Sequence, residues 1–212
     1  MNKILRILIL SDLFIMSGFG LIQPIFAVFI IKNISDGTIA SVGIAATVQL
    51  FSKALFQIMI TRWTDAERGN CRELYTLIAG SVLISLTPLL YIAAQSMAHI
   101  YITQFVYGIG MALSYPSWRV IFTRYTTPDH AGYAWGVYDT VVSFGIAATA
   151  ALGGFLAERY SFTHLFMVVF FTSVVGTFFL THIFQSEFSC RINLLNKKQR
   201  PHDHRRGVHG KK

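Results

Sequence analysis

Six apolar segments, each long enough to cross a lipid bilayer, fill most of this 212-residue chain. An α-helix rises about 1.5 Å per residue, so about 20 apolar residues span a hydrocarbon core that is about 30 Å thick. That core holds no water, so a spanning segment must pair its own backbone groups as a helix. The sequence therefore predicts an all-α polytopic membrane protein. Its six transmembrane helices are predicted over Ile7–Ile31, Ile39–Ile60, Leu74–Ala94, Ile100–Phe122, Gly136–Leu156 and His164–Phe184.

The composition also indicates a membrane protein. The chain is 53% hydrophobic and only 13% charged, whereas an ordinary soluble domain has about 25% charged residues. We expect one transmembrane bundle over residues 1–184 and a basic, disordered tail over residues 185–212. We interpret the tail as a solvated anchor, with attraction to anionic membrane lipid as the alternative. Since no aromatic residues lie between its charges, we expect no nucleic-acid binding.

The distribution of Lys and Arg predicts the orientation, because cytoplasmic segments are enriched in both. With the N-terminus inside, 15 of the 18 basic residues fall on the cytoplasmic side, two fall outside and Lys53 lies within the membrane. Without the tail the ratio is still seven to two. The first segment is too long for the apolar part of a signal peptide. We therefore expect an integral protein of the plasma (inner) membrane with both termini in the cytoplasm.

Four charged side chains lie at predicted membrane depth, where a charge is costly and indicates function by default. They are Asp12, Lys53, Arg119 and Asp139. Gln49, Lys53 and Gln57 are spaced four residues apart and form one polar stripe on the second helix. Such a stripe should face the bundle interior or a wet cavity, and Lys53 is expected to pair with Asp12 or Asp139.

This pattern has two readings. In the functional reading, the polar side chains line a cavity for a solute, with Asp12 or Asp139 as a protonatable coupling site. In the structural reading, Lys53 forms a stabilising ion pair or snorkels toward the interface, and Arg119 simply lies beside that interface. The predicted substrate or coupling site comprises Asp12, Gln23, Gln49, Lys53, Gln57, Tyr107, Asp139 and Ser143. The sequence shows no metal-ligand cluster, phosphate loop or nucleophile–base motif, so we expect neither an enzyme nor a cofactor.

The six helices divide into two sets of three with faint similarity. The first helix contains Gly18-Phe-Gly20 and the fourth contains Gly108-Ile-Gly110. A proline follows each pair of glycines, at Pro24 and Pro116. Because three is an odd number of crossings, the second set would be inverted relative to the first. Such 3+3 inverted repeats are typical of transporter folds.

Three motifs make the chain resemble one six-helix half of the major facilitator superfamily, over about Ile7–Phe184. In that family, the loop after the second helix usually reads Gly-x-Leu-Ala-Asp-Arg-x-Gly-Arg-Arg, and here Asp65, Gly69 and Arg72 match it, the last two after a one-residue shift. The fourth helix keeps the two glycines of Arg-x-x-Gln-Gly-x-Gly but has Gln104 in place of the arginine. The fifth helix keeps three glycines of the antiporter motif, Gly145, Gly153 and Gly154, and lacks its central Gly-Pro. These departures argue against proton-coupled drug antiport.

The resemblance implies solute transport by alternating access, with a cytoplasmic gate near Asp65, Gly69, Arg72 and Arg119. A whole transporter of this family has twelve helices, so the other half would come from a second copy, as a homodimer, or from a second polypeptide. The remaining alternative is that the chain is a fragment of a twelve-helix transporter. The alternative function is a non-transporting membrane subunit or scaffold.

Overall fold

The computed structural model describes residues 2–66 and 71–186, in which every major element is an α-helix. The predicted gate residue Gly69 and nearly all of the predicted tail lie outside these ranges. The helices are α1 (Lys3–Gly20), α2 (Phe26–Asn33), α3 (Ile39–Asp65), α4 (Cys71–Ala93), α5 (Met97–Tyr125), α6 (Ala131–Arg159) and α7 (Phe162–Ser186).

The first predicted helix is divided in two at a proline. α1 ends at Gly20, a short 3₁₀ turn over Gln23–Ile25 contains Pro24, and α2 continues the same span. Proline lacks a backbone N–H and cannot continue the hydrogen-bond ladder. Pro116, by contrast, lies inside an unbroken α5. The first span therefore has an irregular stretch of backbone partway along it.

Within the described ranges, five spans are long and apolar enough to cross a membrane. They are Lys3–Asn33, Ile39–Asp65, Arg72–Ala93, Pro128–Arg159 and Phe162–Thr181. The remaining predicted span, α5, has 29 residues and so is about 43 Å long, but it is more polar. Its neighbours α3 and α4 shield it from lipid, which is how Thr103, Gln104 and Ser117 come to be buried in it.

The helices pack in the order α6, α1, α7, α4, α5, α3. α1 packs against α6 and α7, while α5 packs against α3 and α4. If α1 corresponds to α5, α3 to α6 and α4 to α7, each contact in one half of this order has its equivalent in the other. The predicted 3+3 repeat is confirmed.

The repeated glycines lie where helix backbones approach most closely. A Cβ on Gly108 would overlap the Ser52 hydroxyl and lie 2.5 Å from the Gln49 carbonyl oxygen on α3. A Cβ on Gly20 would lie 2.5 Å from Oγ1 of Thr149 on α6. Membrane helices associate largely through such close packing. In each repeat, one of the two glycines therefore allows the outer helix, α3 or α6, to approach the inner helix closely.

Two apolar clusters hold the ends of the bundle, and hydroxyl pairs join α4 to its neighbours. The cluster at the end that carries the N-terminus includes Leu8, Leu77 and Phe122, and the cluster at the other end includes Ile30 and Phe166. α4 is joined to its neighbours by two buried hydroxyl pairs, Thr76–Ser117 at 2.6 Å beside the first cluster and Ser85–Thr177 at 2.9 Å nearer the middle of the bundle. Interhelical hydrogen bonds of this kind add stability where lipid surrounds the bundle.

The outer helices α3 and α6 are largely uncovered. Each of them packs mainly against one neighbour, α5 or α1, and few of their side chains are buried. Large apolar side chains on α3 and α6 are exposed, among them Leu50, Phe51, Phe144 and Phe155. α3 and α6 border one side of the bundle, and α1 and α5 lie between them. We call this side the open side.

Candidate solute site

A cavity of about 170 Å³ lies where the irregular turn of the first span meets α3, α4 and α5. Three glutamines and two tyrosines supply its polar groups: Gln23 from the turn, Gln49 from α3, Tyr91 from α4, and Gln104 and Tyr107 from α5. Phe19 stacks on the Tyr107 ring at 5.1 Å between centres. We call this space the glutamine cavity. It brings together three of the predicted site residues, Gln23, Gln49 and Tyr107.

Gln104 is the strongest polar feature of the glutamine cavity, although it was not among the predicted site residues. Its side chain is only 4% exposed, and its Oε1 atom has no hydrogen-bond partner within the described part of the chain. An unsatisfied buried amide oxygen costs about 1–3 kcal/mol, so the site favours a donor at this position. The spacing of Gln104 and Tyr107, three residues apart on one helix face, was the sequence signal that could have identified it.

A second cavity, of about 110 Å³, contains the carboxylate of Asp12. The Tyr138 hydroxyl on α6 donates a hydrogen bond of 2.6 Å to Oδ2 of Asp12 on α1. Ser114, Tyr115 and Met111 of α5 form the opposite wall. We call this space the carboxylate cavity. Sequence reasoning selected Asp12 but missed Tyr138, whose hydroxyl is the group that reaches it.

Lys53 does not form the predicted pair with Asp12 or Asp139. Its Nζ lies over the Tyr115 ring, 4.4 Å from the ring centre, and within residues 2–66 and 71–186 it makes no ion pair. The prediction was wrong because α3, which carries Lys53, packs mainly against α5, whereas Asp12 lies on α1 and is bonded to Tyr138. Asp139 lies exposed on α6, at the other end of the packing order from α3.

Arg119, which was grouped with the predicted gate, lies on the open side. Its guanidinium carbon is 5.3 Å from the centre of the Tyr115 ring and 5.7 Å from that of Trp135 on α6. Tyr115 and Trp135 were not predicted, and no pattern in the sequence distinguishes them from other aromatic residues that pack between helices.

The remaining predicted site residues divide between the two outer helices. Gln57 is half-buried one turn beyond Lys53 on α3 and lines neither of the two cavities described above. Asp139 and Ser143 are exposed on α6 and, being four residues apart, share a face. The structure thus places Asp12, Gln23, Gln49 and Tyr107 in cavities, Lys53 beside one of them, and Asp139 and Ser143 on the open side.

The described part of the predicted gate joins the ends of α3 and α4. Nη1 of Arg72 donates a 2.8 Å hydrogen bond to the Trp63 carbonyl, and the guanidinium lies 4.8 Å from the Trp63 ring centre. A cation there is stabilised by the partial negative charge at the C-terminus of α3. Asp65 is exposed beside it. Nearby, Nη2 of Arg124 on α5 bonds Oε1 of the buried Glu73 on α4 at 3.0 Å.

These features together define a class of membrane protein. An inverted 3+3 helical repeat, an irregular stretch of backbone beside a polar cavity, and a buried carboxylate in the bundle are typical of secondary transporters. Among the described residues, no three His, Cys, Asp or Glu side chains are grouped as metal ligands would be.

The sequence profile of the family described as the Major Facilitator Superfamily matches residues 8–204. The chain therefore belongs to the major facilitator superfamily, whose members are transporters, and the resemblance inferred from its motifs is confirmed. A search of curated proteins gave no match.

Proposed function

We propose that the chain is one half of an alternating-access transporter and that the glutamine cavity binds a small polar solute. The observation that carries the proposal is the unsatisfied Oε1 of Gln104 in a cavity that Gln23 and Gln49 also line. Amide side chains both donate and accept hydrogen bonds, so three of them suit a solute with hydroxyl, amide or amino groups. The irregular turn at Pro24 supports the same reading, because non-helical backbone at membrane depth is tolerated where it lines a cavity.

Asp12 is the proposed proton-coupling group. It lies at membrane depth with one hydroxyl donor, Tyr138, and an intramembrane carboxylate is a default candidate for proton relay. Rocking of this half against the other would open or close access to the carboxylate cavity, and thereby change the solvation of Asp12. Gain or loss of the proton would then follow the side to which the cavity opens.

The second half is proposed to be a second copy, related by a two-fold axis along the membrane normal. The exposed faces of α3 and α6 support this arrangement, because a second copy would cover Asp139 and Ser143 as well as Phe51 and Phe144. We also propose that both termini lie in the cytoplasm, on the basis of the charge distribution. A reporter inserted at Ser96 should then be external, and a cytoplasmic reporter there would contradict this orientation.

Transport is tested by uptake into proteoliposomes, with a panel of labelled sugars, amino acids and polyols and an imposed pH gradient. We expect uptake of one class of solute by the parent. We expect Gln104→Leu to reduce it by about tenfold or more, because the variant removes a hydrogen-bonding group from the site. The matched control is Gln95→Leu, at an exposed position between α4 and α5. A folded parent that moves no solute, or equal losses in both variants, would contradict the proposal.

Assembly is tested by cross-linking in membranes, after Cys71 and Cys190 are replaced by Ser. Cysteines at Leu50 on α3 and Phe144 on α6, both exposed, should cross-link between copies. Cysteines at the exposed Leu86 on α4 and Phe171 on α7 are the matched controls and should not. A strictly monomeric protein with full uptake would exclude the second copy.

A further inference from the structure

Two cationic side chains meet at one aromatic ring on the open side. Nζ of Lys53 and Cζ of Arg119 lie 4.4 Å and 5.3 Å from the centre of the Tyr115 ring. Both distances end at the same point, so the two charges are at most about 10 Å apart, and outside bulk water like charges repel appreciably at that separation. Arg119 also lies 5.7 Å from the Trp135 ring centre. We call Lys53, Tyr115, Arg119 and Trp135 the cation–aromatic cluster.

Within the described ranges, no carboxylate lies within ion-pair distance of either cation. Neither Lys53 nor Arg119 forms an ion pair there. Arg124, five residues further along α5, is in contrast bonded to Glu73 at 3.0 Å. Aromatic faces stabilise a cation by roughly 0.5–2 kcal/mol but leave its charge uncompensated. A pair of uncompensated cations at membrane depth is costly, and an anion would relieve that cost.

The elements of the cluster converge from three helices. Lys53 comes from α3, Tyr115 and Arg119 from α5, and Trp135 from α6. The helix order brings α3 and α5 together directly, and Arg119 reaches across to α6. Tyr115 also lines the carboxylate cavity, so a ligand held by the cluster would lie beside the space that contains Asp12. The cluster is thus continuous with a cavity of the proposed transport path.

On these grounds we propose that the cation–aromatic cluster binds the carboxylate or phosphate group of an anionic solute. This inference rests on the proposed transport function and narrows its substrate class to organic anions with an additional polar part for the glutamine cavity. The guanidinium of Arg119 presents a fork that fits two oxygens of a carboxylate or phosphate, and Lys53 adds a point charge. The Tyr115 and Trp135 rings offer apolar surface to the rest of the solute.

The test is equilibrium binding to the full chain in nanodiscs of phosphatidylcholine, followed as the ligand-induced rise in Tm. The probes are benzoate and phenyl phosphate, and benzamide is the uncharged match for benzoate. We expect Tm to rise with at least one of the two anions and to stay unchanged with benzamide. Lys53→Gln and Arg119→Gln should each raise the apparent Kd by about tenfold or more, as expected for the loss of a charged hydrogen bond.

The matched protein control is Arg62→Gln, which removes an exposed cation from α3 away from the cluster and should leave the Kd unchanged. The proposal is overturned if neither anion binds, if benzamide acts as benzoate does, or if Arg62→Gln weakens binding as much as Lys53→Gln. The binding measurement does not depend on transport activity. A neutral solute transported without any contribution from Lys53 or Arg119 would overturn this inference alone and leave the proposed function standing.

Two further arms of the experiment distinguish a solute from two other sources of negative charge, a lipid headgroup and the carboxylate of a second copy. In phosphatidylglycerol nanodiscs, a rise in Tm that depends on Lys53 and Arg119 and abolishes benzoate binding would assign the site to a lipid headgroup and overturn the solute assignment. Loss of dimers in both Lys53→Gln and Asp139→Asn, without anion binding in the parent, would assign the cations to the carboxylate of a second copy and overturn it as well.

Discussion

The outer helices α3 and α6 occupy equivalent places in the two repeats but carry different chemistry. Each packs mainly against one inner helix, α5 or α1, and each relies on an inner-helix glycine for its close approach. α3 directs an amide and an ammonium group, from Gln49 and Lys53, toward the glutamine cavity and the Tyr115 ring. α6 directs a phenol, Tyr138, toward Asp12 and leaves the neighbouring carboxylate of Asp139 exposed.

The comparison shows which properties a repeat preserves. Backbone approach depends on small residues at the contact, and both repeats keep them. The polar side chains on the same helices are not required for that backbone approach, so they differ between the two repeats. The free-energy cost of a polar group inside the membrane then favours a contact that stabilises it. The carboxylate of Asp12 contacts a hydroxyl, and the ammonium group of Lys53 contacts an aromatic ring.

The largest expected effect comes from the shared property, the glycine contacts. Gly108→Leu and Gly20→Leu should each destabilise the bundle by about 1–3 kcal/mol or more through overpacking, because even a Cβ would overlap α3 or α6. The measurement is Tm in detergent. Gly136→Leu on α6 is the control, since nothing lies within 4 Å of a Cβ there. If the control loses as much stability as the two variants, close packing is not what the glycines provide.

Sequence reasoning predicted the repeated helix packing well, but it predicted the polar contacts, which differ between the repeats, only in part. Segment length and apolar content were enough for the helices and their inversion, and Gly18-Phe-Gly20 and Gly108-Ile-Gly110 gave the repeat. The charged residues of the spans were also found. Their partners were not, because pairing depends on which helices are neighbours. Lys53 and Asp139 have opposite charges at comparable depth, but α3 and α6 are at opposite ends of the packing order.

The aromatic partners were harder still to predict. Tyr115 and Tyr138 resemble ordinary packing residues in the sequence, and only the helix order shows that one meets Lys53 and the other meets Asp12. The same holds for the orphaned oxygen of Gln104, since burial and an absent partner are properties of the fold. A sequence can thus predict that a polar group is buried without predicting what satisfies it.

An intermediate effect is expected at the hydrogen bond between α6 and α1. Tyr138→Phe removes the donor to Asp12, and Asp12→Leu removes the acceptor. Each should cost about 1–3 kcal/mol, because the other group is left unsatisfied. The double variant should cost less than the sum of the two single variants, which a double-mutant cycle on Tm measures. Asp139→Asn, at the exposed neighbour of Tyr138, is the control. Additive losses would show that the hydroxyl and the carboxylate do not act as a pair.

The smallest effect is expected at Lys53, the equivalent polar group on α3. An ion pair would make Lys53→Leu severe, because a carboxylate would be left buried and unpaired, at about 3–5 kcal/mol. The structure gives Lys53 a ring instead. Lys53→Leu therefore loses a ring contact of about 0.5–2 kcal/mol but relieves the repulsion from Arg119, so the net loss should be smaller than that of Asp12→Leu. Tyr115→Leu should reduce the cost of Lys53→Leu further, whereas Arg62→Leu on the same helix should cost the same in either background. A loss on Lys53→Leu as large as that on Asp12→Leu would restore the idea of a carboxylate partner and remove the difference between the two outer helices.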